Sequence, residues 1–133
     1  MNLSIRSLPL VLLSLAVPAS GQVGQPVGFE ETFALAEDRG VRLALEPLNR
    51  FETYFLNRAD QAMALAEAVG PNCGVCLDVF HMNIEEKDML AAIRASSSRL
   101  VDVHVAENNR LAPGMGSVDW ASFVKTLDEI GYD

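Results

Sequence analysis

Apolar positions along this chain recur with two alternating periods. Phe29, Phe33 and Ala36 share one helical face between Phe29 and Arg39, and Gly40 ends that run. Val41 to Leu45 reads as a short strand closed by Glu46-Pro47. Ala59 to Val69 is alanine-rich and helical, and Gly70-Pro71 stops it. Gly74 to Val79 predicts a second strand, with Leu77 to Phe80 as its buried end. Glu86 to Ser96 predicts a third helix, whose N-terminus Glu86 or Asp88 complements. Leu100 to Val105 is a third strand. Trp120 to Ile130 is a fourth helix, opened by Ser117 or Asp119 and ended by Gly131. Strands alternating with helices at this spacing predict an α/β fold of parallel βα units.

The first residues stand apart from this rhythm. Arg6 precedes an apolar run from Leu8 to Val17, and Pro18-Ala19-Ser20-Gly21 follows. A positive start, a short apolar stretch and small residues resemble a secretory signal peptide. The run is shorter than the about 20 residues that span a bilayer. Residues 1–24 are therefore read as a signal peptide or an unrelated segment, and residues 25–133 as the domain. In the first reading the exported chain starts near Ser20.

Composition narrows the function classes. Of the 133 residues, 50% are hydrophobic and 21% charged, which fits a globular domain with its own core. The formal net charge of -8 disfavours nucleic acid and anionic membranes as partners. Cys73 and Cys76 form a CxxC pair, but no second pair completes a zinc site, and Cys76 runs straight into a strand. They read as small buried residues.

The candidate chemistry lies where the strands stop. Glu46, Asp78 and His104 each mark the end of a predicted strand. In parallel α/β architecture those ends share one face, and that face holds the active site. Two carboxylates and an imidazole suit a divalent metal such as Mn²⁺, Co²⁺ or Mg²⁺. Glu52, His81 and Arg110 follow a few residues later, on predicted loops where substrate contacts belong. Taken singly, Arg110 reads as a surface charge, Glu52 as a loop acid and His81 as a capped, buried histidine; the repeat of a ligand followed by a polar group is what points to a site.

Four blocks carry a resemblance: LALEPLNRFETYFLN, CLDVFHMNIEE, DVHVAENNRLAPGMGSVDW and the closing IGYD. They look like the ketose 3-epimerases, the D-tagatose and D-psicose 3-epimerase group, within the sugar isomerase/epimerase family with a xylose-isomerase-like TIM barrel. The resemblance runs from about Phe29 to Asp133. It implies a partial TIM barrel whose three βα units match strands five to seven, in a cytoplasmic enzyme. It implies a metal held by two glutamates, an aspartate and a histidine, of which Glu46, Asp78 and His104 match three. It implies C3 epimerisation of a free ketose through an enediolate, with Glu46 as one member of the acid/base pair. Glu52, His81 and Arg110 match residues that bind substrate near C1 and C2. A complete barrel takes about 250 residues, so the chain reads as a fragment, and the second glutamate is expected on a strand after Asp133. A homo-oligomer is expected of the full barrel.

Three alternatives stand beside that reading. An aldose–ketose or hydroxypyruvate-type isomerase shares the metal logic. A DNA-repair endonuclease of the same barrel needs many histidines, and this chain has two. A non-catalytic remnant or interaction module would keep the βα units without the chemistry.

Overall fold

The computed structural model describes residues 10–13 and 29–133. Their elements, in chain order, are β1 (Leu10–Leu13), α1 (Phe29–Asp38), β2 (Arg42–Leu45), α2 (Ala59–Val69), β3 (Cys73–Asp78), α3 (Val79–Glu85), α4 (Met89–Ala95), β4 (Leu100–His104) and α5 (Trp120–Glu129). The four strands form one sheet in the order β1-β2-β3-β4, and each pair is parallel. Sequence order and sheet order coincide, as in a segment of a βα barrel.

The two faces of the sheet follow from the period of two in a strand. Leu43, Leu45, Val75 and Leu77 are buried in the hydrophobic core. Ala59, Ala62 and Ala66 of α2, Ile93 of α4 and Phe123 of α5 belong to the same core. Small alanines let α2 lie close to the sheet, and each buried leucine or valine contributes on the order of 2 kcal/mol by leaving water. The intervening positions form the other face, with Ala44 and Cys76 both buried there. The register slips once: Val75 pairs with Leu100 but Cys76 with Asp102, leaving Val101 as an extra residue. That slip sets Asp78 opposite His104.

Three sequence expectations are revised. β1 adds a fourth strand inside the apolar Leu8–Val17 run, and the remainder of that run lies outside the described residues. The second strand stops at Asp78 rather than continuing through Phe80. The Asp78 carboxylate accepts from the backbone N–H of Phe80 at 2.7 Å and His81 at 3.4 Å, so it caps a helix and the chain turns at once into α3. Finally, the helix expected from Glu86 to Ser96 is shorter, running as α4 from Met89 to Ala95, so Glu86 and Asp88 lie before it. Asp88 caps the shorter α4 through Ala91 N–H, while Glu86 reaches across to accept from Ala59 N–H at the start of α2. Among the described residues no helix is long and apolar enough to cross a membrane.

Candidate metal and substrate site

Glu46 follows the last residue of β2, Asp78 ends β3 and His104 ends β4, so the sheet brings their side chains together. His104 Nδ1 lies 3.1 Å from Glu46 Oε1 and 3.7 Å from Asp78 Oδ2. The other ring nitrogen, Nε2, lies 3.8 Å from Asp102 Oδ2. Burial raises the Glu46 pKa above the ordinary carboxylate value; Asp78 adds to the rise, while His104 and His81 oppose it. Beneath them the Cys76 thiol is fully buried, and that burial, reinforced by Glu46, Asp102 and Asp78, pushes its pKa up and keeps it protonated at neutral pH. Two groups of three side chains place ligand atoms within 4.8 Å of one another: Glu46, Cys76 and His104, and Glu46, Asp78 and His81.

An open cleft of about 560 Å³ spreads over this cluster, lined among others by Glu46, Glu52, Asp78, Phe80, His81 and Arg110. All three expected substrate-contact residues are in it. A groove of similar size between α2 and α4, about 600 Å³, holds alanines and helix-capping charges and none of the convergent acids.

Two loops build the walls. The β2–α2 loop is closed on itself: Leu48 N–H donates to Leu56 O, and the Asn57 amide donates to Leu48 O at 2.7 Å and Thr53 O at 3.0 Å. Arg50 clamps this loop to α3 through a two-pronged pair with Glu85, at 2.9 Å on both prongs. Glu52 then projects from the loop and pairs with Arg110 from the opposite wall. His81 stands on the first turns of α3 and not on a loop, because Asp78 caps that helix. Arg110 lies over the Phe80 ring, 4.2 Å from its centre. Its backbone sits at φ 62°, a left-handed value costly for a side-chain-bearing residue.

A family model for the xylose isomerase-like TIM barrel matches residues 28–133. The chain belongs to that family. Within the xylose isomerase-like TIM barrel family the curated relatives it matches include sugar epimerases. It is 46% identical to the ketose 3-epimerase of Arthrobacter globiformis over 74% of this chain and 34% of that protein. It is 44% identical to the D-psicose 3-epimerase of Enterocloster bolteae over 73% of this chain and 33% of that one. The crystal structure of D-psicose 3-epimerase with D-tagatose from Clostridium cellulolyticum H10 matches with a TM-score of 0.78 at 34% identity, covering 94% of this chain and 47% of that one. The chain thus spans about a third of the length of the curated relatives it matches.

Two residues of this family member were not legible as functional in its sequence. Asn49 is a buried amide between Glu52 and His81. Glu107 is a fully buried carboxylate on the β4–α5 loop. It accepts from Trp120 Nε1 at 2.5 Å, Gly114 N–H at 2.7 Å and Val118 N–H at 3.1 Å. Its own carbonyl accepts from Arg110 N–H at 2.9 Å and so holds the strained arginine in place. Gly116 has to be glycine, since a Cβ there would strike the Glu107 carboxylate and the Asn108 amide.

Burial by itself would raise the Glu107 pKa, but the donors from Trp120, Val118, Gly114 and Asn108 outweigh it and hold the carboxyl below its ordinary value. A carboxylate whose folded pKa is lowered stabilises the native state above its unfolded pKa. That contribution fades as pH falls below about 4.5 and through the folded value. Trp120 is the single tryptophan in the chain and touches Glu107 directly. Its fluorescence is therefore expected to change over this acid range, and Glu107→Gln is expected to remove the transition. A flat emission profile down to global unfolding would contradict this role.

Proposed function

We propose that this chain, as a barrel domain from residue 25 onward, carries the metal-binding and acid/base wall of a ketose 3-epimerase. The observation that carries this reading is the convergence of Glu46, Asp78 and His104 at three adjacent strand ends, under a cleft lined by Glu52, His81 and Arg110. Two carboxylates and an imidazole are a fitting donor set for a hard to borderline divalent cation. Mn²⁺, Co²⁺ or Mg²⁺ held there would supply Lewis-acid polarisation of the ketose carbonyl.

The chain's own groups do the rest. Inverting C3 requires one group to take the carbon-bound proton and another to return a proton from the opposite face. In this reading Glu46 makes one of these transfers, and burial, which raises its pKa above the ordinary carboxylate value, makes it a better proton acceptor than a solvated carboxylate. Arg110 offers guanidinium N–H donors to sugar oxygens while the Phe80 ring and Glu52 fix its orientation. Glu52 accepts from hydroxyls, and the His81 ring closes the floor of the cleft. The relatives' names support a free ketose as substrate.

Asp78→Asn tests the metal assignment cleanly. Asparagine caps a helix about as well as aspartate, so α3 should persist while the ligand loses its charge. Mn²⁺ affinity, followed by calorimetry, is expected to fall by more than about tenfold, the low end of the cost of losing even an outer partner of a ligand. Unchanged affinity would remove Asp78 from the ligand set.

A further inference from the structure

We infer that Asn49 is a positioning residue that fixes His81 as the neutral tautomer with its proton on Nε2. Asn49 is only 2% exposed and His81 5%, so water does not compete for their hydrogen bonds. Two contacts, to Phe51 and Glu52, settle the orientation of the Asn49 amide, and the third follows from them. Its Oδ1 accepts from Phe51 N–H at 2.9 Å. Its Nδ2 lies 3.0 Å from Glu52 Oε1, an acceptor that needs a donor. Its Nδ2 also lies 2.8 Å from His81 Nδ1. The Asn49 backbone N–H points at the same Nδ1 from 3.2 Å. Two donors therefore meet His81 Nδ1, and neither can accept. Nδ1 must present its lone pair, so the ring proton of the neutral imidazole resides on Nε2.

The nitrogen left for the cleft is then an N–H. It cannot give a lone pair to a cation, although the His81 ring lies beside Glu46 and Asp78. That separates the histidines by job: His104 turns Nδ1 toward the two acids, whereas His81 offers a hydrogen-bond donor to an oxygen in the cleft. The same amide holds Glu52, so one side chain sets two contacts on the sugar side. The sugar as recipient rests on the epimerase reading above; the tautomer does not.

The test is ¹⁵N NMR of the imidazole in the metal-free, sugar-free chain at neutral pH. The two-bond ¹⁵N–¹H pattern of the unmodified chain should show His81 Nδ1 bare and Nε2 protonated. Asn49→Ala removes the shorter of the two donors at Nδ1 and keeps only the backbone N–H at 3.2 Å, so part of the population should shift to the tautomer with its proton on Nδ1. Asn49→Asp places a carboxylate against Nδ1, and the proton should move to Nδ1, leaving Nε2 bare. An unmodified chain with the proton on Nδ1 overturns the inference, and so does an Asn49→Ala chain whose tautomer ratio is unchanged or an Asn49→Asp chain that keeps the proton on Nε2. If Asn49→Asp fails to fold, the unmodified chain and Asn49→Ala still decide. Because neither metal nor sugar is present, a failure here leaves the epimerase reading standing, and failure of epimerisation leaves the tautomer standing.

Discussion

Glu46→Gln is expected to abolish epimerisation without disturbing the fold. The assay places residues 29–133 in the matching segment of an active D-psicose 3-epimerase and follows the interconversion of fructose and psicose. Glutamine matches glutamate in size and can still hydrogen-bond to His104, now 3.1 Å from the carboxylate. It can neither take a proton from carbon nor return one. General acid–base groups contribute about 10²–10⁴-fold to rate, so kcat should drop by that order, with circular dichroism unchanged. A chimera that keeps half of its kcat after this change would take the proton-transfer role away from Glu46.

The second large effect concerns stability. Gly74→Ala is expected to cost about 3 kcal/mol, the upper part of the usual range for overpacking. A Cβ at Gly74 would meet Arg99 O at 2.5 Å and Val101 Cγ1 at 2.6 Å. The Arg99 carbonyl cannot retreat easily, because it accepts from Val75 N–H at 2.8 Å. The Arg99 side chain is anchored as well, donating to Gly70 O and Cys73 O, each at 2.9 Å. The clash falls where the register slips, beside the extra residue Val101. A urea titration measures it. A loss below about 0.5 kcal/mol, the size of an ordinary surface change, would mean that β3 and β4 part without penalty.

Much of this architecture is readable from periodicity. α2 matches its expected boundaries at Ala59 and Val69, and β2 and β4 each lie within one residue of theirs. The strand-end residues follow from the same reading, because a parallel sheet obliges its C-terminal ends to meet. α3 escaped because Val79 and Phe80 continue an apolar run and no breaker precedes them; the Asp78 cap is invisible when that aspartate already reads as a ligand. Asn49 and Glu107 escaped for a different reason. A polar residue in a polar stretch looks solvated, and only tertiary partners bury it: His81, 32 residues from Asn49, and Trp120, 13 residues from Glu107.

The Glu107 hub has a consequence for how this site tolerates change. Its bonds to Gly114, Val118 and Trp120 tie the base of the loop, and its carbonyl holds Arg110. The Leu111 carbonyl also accepts from Glu107 N–H, but the side chains of Leu111 and Met115 stay outside the hub, 49% and 63% exposed. Substitutions at those two positions should therefore accumulate without unseating the arginine. The loop thus divides into positions free to drift and positions whose change is felt at Arg110, so variation can collect at one without reaching the other.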